Sequence, residues 1–534
     1  MPNTQLPHIK LKPYYKTTKQ VTKKHWDVIV IGSGIAGMSC AASLAKQGKK
    51  VLIVEQHYLP GGFTHCFSRK GYTWDVGVHA ISEVKQRDVP GRLLNWLTDN
   101  GIKWNSLGDP YDRFYYPDGF KIGFPDSKKK FIDELKNKFP DEHQVIDQYV
   151  KLISKAVNEC KPFFIFKTLS KSLDQKLSKL YYKLKTNWWA KSTQDVLDSL
   201  TDNKKLKAVL VAQWGYHGSI PKESSFGIHA LVVRSFWYGA YYPVGGSDEF
   251  AINLLKPVLK SGGQTIVRAP VKELLIKDQQ CIGIQLESGE QYFAKHIISA
   301  AGAKNSINGI LPASYQQSSW AKEINTIPSS PSYICLNLGF KGDIKKAGAS
   351  SQNCWFNETY DMNQQHWDLT KDNSEAPIIY VSFPSLKDPN YDPGTEQKHT
   401  GECVTFVDWE SFEKWKATKR GKRTADYQEF KKDIQNRIQT QLFKHMPELK
   451  KYLDYAELST PLSAQFFTRA NKGSIYGLES SPKRYTCSAL RTKTPIKNFY
   501  LTGIDIATLG VMGGLISGLL TAATIDKRLY RRLL

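Results

Sequence analysis

The sequence predicts an α/β protein of two interwoven domains, and three observations carry that prediction. An apolar strand, Asp27-Val-Ile-Val-Ile31, runs into Gly32-Ser-Gly34-Ile-Ala-Gly37 and a helical stretch, then into a second apolar strand that stops at Glu55. Three short alternating segments between Gln264 and Ile298 read as a β-meander. A strand-like Asn498-Phe-Tyr-Leu-Thr502 leads into an uncharged, glycine-rich segment that ends at Ile525. With 534 residues the chain exceeds the usual size of one compact domain.

In the first element, an unbroken β-branched run suits a strand buried on both faces of a parallel sheet. Gly32 permits the tight turn, Gly34 lets a pyrophosphate approach the main chain, and Gly37 lets the helix pack on the strand. The helix from Met38 through Ala45 ends at Gly48, and its N-terminus offers free N–H groups and a positive dipole end to phosphate. Val51-Leu-Ile-Val54 follows as the second strand. Glu55, eighteen residues after Gly37, is placed to accept hydrogen bonds from an adenosine ribose. Strand, turn, helix, strand and acid together predict a Rossmann-like dinucleotide-binding domain.

Beyond Glu55, Leu59-Pro-Gly-Gly62 extends the second strand into a turn and Asp75-Val-Gly77 lies shortly after it. This layout resembles FAD enzymes of the amine oxidase and phytoene desaturase superfamily. Further blocks narrow the resemblance: Tyr242-Pro-Val-Gly-Gly-Ser247, Ile298-Ser-Ala-Ala-Gly302, Phe383-Pro-Ser-Leu-Lys-Asp388, Gly421-Lys-Arg423 and Thr460-Pro-Leu462. From about Trp26 to Ile525 the chain resembles the retinol saturase and carotenoid isomerase branch of the phytoene desaturase family.

The resemblance implies a non-covalently bound FAD. Its binding residues would be Gly32, Ser33, Gly34, Ile35, Ala36, Gly37, Glu55, Gln56, Gly61, Gly62, Val271, Gly503, Asp505, Val511 and Gly513. Val271 would meet the adenine through its backbone, and Asp505 suits the ribityl chain or an N-cap. The helix start at Val511 to Gly514 would face the flavin carbonyls. The implied organisation is a basic arm at 1–25 and a Rossmann-like FAD-binding domain with a β-meander from 26–87, 235–328 and 464–534. A mixed α+β substrate domain would come from 88–234, largely helical, and 329–463. The meander strands Val271–Ile276, Cys281–Leu286 and Gln291–Phe293, with a turn at Glu287-Ser-Gly289, would form a small sheet attached to the FAD domain.

The implied chemistry is oxidoreduction at a carbon–carbon double bond of a retinoid- or carotenoid-like polyene, by saturation or desaturation. A reduced-FAD-dependent cis–trans isomerase and an amine oxidase-like flavoenzyme are the alternatives, the middle blocks weighing against the last. Alkene reduction needs a proton as well as a hydride. His79, on the stretch expected near the flavin, leads the proton-donor candidates, followed by Glu83 and His229, with His217 flanking the same apolar segment. A second strand–GxGxxG–helix unit for a tightly bound nicotinamide is absent from the sequence, which points to a quinone, a protein donor or transient NAD(P)H as the electron partner.

Composition bounds the rest. The formal charge of +24 favours contact with an anionic membrane or nucleic acid, but there is no recognisable RNA module, so nucleic acid is not expected as a partner. The first 24 residues hold six lysines and no acid, without the apolar core of a signal peptide, and read as a solvated basic arm. Ile506 to Ile525 has the length of a membrane span, yet its glycines gather on one side, which favours a buried helix. Phe163, Phe164, Phe166, Tyr181, Tyr182, Trp188 and Trp189 lie among seven lysines and one acid between Lys167 and Lys191, as in an interfacial amphipathic segment. Eight scattered cysteines without a CxxC pair argue against a metal site or a disulfide framework and suit a reducing cytosol, so the expected location is cytoplasmic, with the basic charge and the aromatic segment pointing to the periphery of a membrane.

Overall fold

The computed structural model describes residues 7–364 and 366–533, so the first six residues of the arm lie outside it. A seven-stranded sheet forms the nucleotide side. Its strands are β1 (His25–Ile31), β2 (Val51–Val54), β3 (Gln264–Ile266), β4 (Val271–Lys277), β5 (Gln280–Leu286), β6 (Gln291–Ser299) and β7 (Phe499–Leu501), in the order β4-β5-β6-β1-β2-β3 with β7 also on β6. Val28 and Val30 of β1 pack on one face, Ile29 and Ile31 on the other, as the β-branched run requires.

The meander is not a separate small sheet. β6 continues past Phe293: its first residues pair antiparallel with β5, and its later ones pair parallel with β1 and β7. One long strand therefore welds the meander to the parallel core.

Helix α1 (Ile35–Ala45) and helix α2 (Gly510–Ile525) cross at near-backbone contact. A Cβ on Gly518 would stand 2.5 Å from the Ala36 carbonyl oxygen, and the Ser39 hydroxyl donates to the Leu515 carbonyl at 2.7 Å. The C-terminal glycines thus serve helix packing. Among the described residues no helix is long and apolar enough to cross a membrane.

Within residues 7–25 the solvated arm is corrected. Leu11 is fully buried, and the Lys16 N–H donates to the Thr265 carbonyl at 2.8 Å, which lays the arm along the edge of β3. Lys23 and Lys24 rest over the Trp26 and Tyr292 rings, each 4.4 Å from the ring centroid. Apolar anchors and lysine stems covering aromatic rings bind a segment whose charge alone suggested solvent.

A second seven-stranded sheet orders its strands as Leu453–Ser459, Ser332–Lys341, Lys398–Val407, Ile378–Ser382, Asn353–Asn357, Asp112–Tyr115 and Lys121–Phe124. One face, through Ile334, Leu336 and Leu338, packs on the helix Ala425–His445. The other carries Tyr333, Val404 and Phe406 toward the helices of residues 128–236. Residues 88–234 are thus helical with strands of their own, two of which complete this sheet.

Candidate active site

One cavity of about 1170 Å³ runs from the glycine turn after β1 to the helical layer over the second sheet. At its nucleotide end, the sequence pattern builds a cradle. Gly32 has φ +97°, and a Cβ on Gly37 would fall 2.1 Å from the Gly32 carbonyl oxygen, so neither position admits another residue without strain. Gly34 is the N-cap of α1, and a Cβ there would meet nothing within 4 Å. It opens onto the cavity.

Glu55 is held ready at the end of β2. Its Oε2 accepts from the Ser33 N–H at 2.8 Å and the Ser33 hydroxyl at 2.6 Å, and Oε1 accepts from the His57 N–H at 2.7 Å. Ser33 is therefore corrected from a cofactor contact to a support: it is fully buried, does not line the cavity, and orients Glu55. Gly61 also stands behind the wall, its N–H donating to the Ser33 carbonyl and hydroxyl oxygens at 3.2 Å each. Gly32, Gly34, Ile35, Ala36, Gly37, Glu55, Gln56, Gly62, Val271, Gly503, Asp505, Val511 and Gly513 all line the cavity.

Asp505 staples two loops onto the turn after β7. Oδ2 accepts from the Ala303 N–H and Oδ1 from the Leu478 N–H, both at 2.8 Å. It is not the N-cap of α2, a position taken by Leu509, which makes no side-chain cap. Neither α1 nor α2 has a side-chain cap, and the first turns of both line the cavity, which gives it two sets of amides and two positive dipole ends. Such donors suit the phosphates and carbonyls of a dinucleotide such as FAD. His57 Nε2, buried without a hydrogen-bond partner among the described residues on a side chain that lines the same end, supplies another polar group.

Sequence reasoning missed Arg484. This fully buried guanidinium donates to the Leu478 carbonyl at 2.7 Å and to the Ile504 carbonyl, fixing the turn that carries Asp505. Its place on the five-residue helix Pro482–Thr486, after two serines, gave no signal.

Of the proton-donor candidates, His79 reaches the cavity wall, with its side chain 19% exposed and Nδ1 2.8 Å from Glu402 Oε2. The His79 carbonyl accepts from Lys387 Nζ at 2.7 Å. Glu83 lines the cavity as well, in a left-handed conformation at φ 56°. Burial pushes its carboxyl up to about 7, Asp88 adding to the rise and Arg234 opposing it.

His229 is corrected. Its neighbours Ile228, Leu231 and Val232 line the cavity, whereas His229 turns into the helical core, with Nε2 2.9 Å from the Tyr149 hydroxyl. His217 stacks edge-on against it at 6.3 Å and is buried too. Burial pushes both imidazoles down to about 3, which leaves them neutral core residues.

Beyond His79 the lining is mostly apolar: Val157, Phe164, Ile165, Leu231, Val232 and Phe236 line the cavity, interrupted by Glu83, Lys161, Ser235 and Tyr216, whose hydroxyl donates to Asp112 at 2.9 Å. The chemistry is thus divided, with a polar cradle at one end and a hydrocarbon chamber at the other.

Comparison with known proteins gives the family. The family model described as flavin containing amine oxidoreductase matches residues 35–526. An all-trans-retinol 13,14-reductase of Danio rerio is 33% identical over 519 residues, covering 93% of this chain and 85% of the relative. A chloroplastic prolycopene isomerase of Daucus carota is 25% identical over 520 residues, covering 92% and 79%. In fold, the chain is similar to cyclohexylamine oxidase from Brevibacterium oxydans IH-35A, with a TM-score of 0.61, 17% identity and coverage of 95% of this chain and 100% of that one. The chain belongs to the flavin-containing amine oxidoreductase family, in the branch that holds the retinol 13,14-reductases and prolycopene isomerases.

Proposed function

We propose that this flavoenzyme holds FAD without a covalent bond and reduces a carbon–carbon double bond of a long apolar polyene of the retinoid class. The observation that carries the reading is the continuity of the cavity, in which the glycine cradle and two uncapped helix starts open directly into a chamber of aliphatic and aromatic side chains. The identity with a retinol 13,14-reductase along 93% of the chain supports the same substrate class.

Bound reduced FAD supplies hydride to one carbon of the double bond. The protein's own residues do the rest: the chamber excludes water and aligns the chain, and His79 gives a proton to the neighbouring carbon. Electrons enter through a transient NAD(P)H or quinone donor.

The test is anaerobic mixing of photoreduced holoprotein with all-trans-retinol and with prolycopene, following flavin reoxidation and product mass together. A gain of two hydrogens with stoichiometric reoxidation is expected. An isomerised product of unchanged mass would replace reduction with isomerisation, the activity named for the Daucus carota relative.

The reading includes peripheral contact between a cytoplasmic protein and an anionic membrane. The helix Lys171–Leu184 exposes Leu173, Leu177, Leu180 and Leu184 at 45%, 37%, 61% and 81%, along one face. Its lysines flank that face, and its one acid, Asp174, is buried against Arg491. It packs on the short helix Pro162–Phe166, whose Ile165 and Phe166 line the cavity. A polyene leaving a bilayer would enter there. Leu177→Ser with Leu180→Ser is expected to lower flotation with anionic vesicles about tenfold or more, at ~1 kcal/mol or more for each leucine. Flotation equal to the unaltered chain would remove this helix from the contact.

A further inference from the structure

A fully buried charged cluster beside the chamber belongs to the second sheet. Glu402 lies on the strand Lys398–Val407 and shares its face with Val404, which lines the cavity. Its side chain is fully buried. The cross-strand neighbours are engaged elsewhere: the Asn337 amide donates to the Glu457 carbonyl at 3.2 Å, and the Ser382 hydroxyl accepts from Lys387 Nζ at 2.6 Å. Lys387, also fully buried, spends its remaining donors on the His79 carbonyl and on Asn353 Oδ1, at 2.7 and 2.6 Å. Glu402 is left with its Oε2 2.8 Å from His79 Nδ1, close enough for an ion pair but not aligned as a hydrogen bond, and neither of its oxygens has a hydrogen-bond partner among the described residues.

A buried carboxylate with a single partner is costly to keep unless that partner is cationic or donates to it. We infer that Glu402 and His79 act as a dyad, in which Glu402 is the positioning residue that keeps the proton on Nδ1 and turns Nε2 toward the substrate. The inference rests on the reduction proposed above. In that step the two electrons of the new C–H bond arrive as hydride from reduced flavin, which is left oxidised. The π pair of the alkene forms the second C–H bond with the proton released from Nε2, and His79 then regains a proton from water.

The groups around the dyad fit this assignment. Burial pushes the Glu402 carboxyl above its usual range, His79 and Lys387 pull it back, and Asp75, on the hairpin strand Tyr72–Asp75, raises it further. Tyr333 and Cys335 face it from the strand Ser332–Lys341 and Tyr380 from Ile378–Ser382. Burial pushes all three further toward their neutral forms. Lys387 fixes the His79 backbone, so the carboxylate needs only to orient the ring.

The test compares Glu402→Gln and Glu402→Leu with the unaltered holoprotein by ¹⁵N NMR of labelled histidine, using His79→Gln to assign the ring, together with the pH profile of substrate-driven flavin reoxidation. Nδ1 is expected to carry the proton in the unaltered chain. Glu402→Gln, whose amide oxygen still accepts, should keep that tautomer but move the alkaline limb of the rate profile to lower pH. Glu402→Leu should shift the neutral ring to the Nε2–H tautomer and lower turnover at least about tenfold with KM little changed. Unchanged ring signals in Glu402→Leu, or in Glu402→Gln with an unmoved alkaline limb, would overturn the dyad. The NMR arm decides the dyad even for a chain that reduces no polyene, so its failure and that of the proposed function are told apart.

Discussion

His79→Gln is expected to slow polyene-driven reoxidation of the flavin by about 10²- to 10⁴-fold, the usual contribution of a positioned general acid. Flavin content should stay as in the unaltered protein, because the His79 side chain meets Glu402 and the chamber wall and takes no part in the glycine turn or the α1 start. Glu83→Gln is the companion experiment. Glu83 lines the same cavity, and burial pushes its carboxyl up to about 7, so it holds a proton below that pH. A donor at Glu83 would place the large loss in Glu83→Gln and leave His79→Gln within a few-fold of normal. Stopped-flow traces on the two photoreduced variants decide between them.

Gly34→Val is expected to abolish flavin retention and leave the fold intact. Gly34 has φ −64° and ψ 171°, a conformation open to any residue, and its Cβ would meet nothing within 4 Å. The added side chain therefore enters the space where a pyrophosphate must approach the main chain, without disturbing the protein around it. Loss of that approach, at ~3 kcal/mol, weakens FAD binding about 100-fold or more. Gly37→Ala should do the reverse. Its Cβ would press on the Gly32 carbonyl oxygen at 2.1 Å, so the strand–helix junction itself must move and stability falls by about 1–3 kcal/mol. Calorimetry of the apoproteins and FAD titration together separate the two effects. Equal melting losses in both variants would contradict the division of roles between the glycines.

Local signals were legible, and long-range ones were not. The turn from Gly32 to Gly37, its helix and Glu55 could be read because each step acts on its chain neighbours, and β1, α1 and β2 lie where the residues put them. The glycines of α2 were readable as a packing face, but the partner helix α1 was not, since Gly518 meets Ala36 across almost the whole chain. β6 looked like the short third strand of a meander, because pairing with β1 and β7 leaves no mark in an apolar run.

The catalytic side divides in the same way. Periodicity places Ile228, His229, Leu231 and Val232 on one helix but does not tell which side meets the chamber, and His229 faces the core. His79 was placed by its closeness to the glycine turns. Glu402 had no signal of its own in the strand, and its meaning came from a histidine far away in the chain. Ser33 and Gly61 show that a motif residue can act from behind the cavity wall, Ser33 by holding Glu55 and Gly61 by holding Ser33.

The most direct measurement is acid denaturation of the purified holoprotein, with identification of the chromophore in the supernatant and its amount relative to protein. FAD released in equimolar amount is the expected result, with the precipitate colourless. Yellow colour retained by the precipitate, or a chain that binds no flavin after reconstitution with excess FAD, would contradict a non-covalent FAD enzyme.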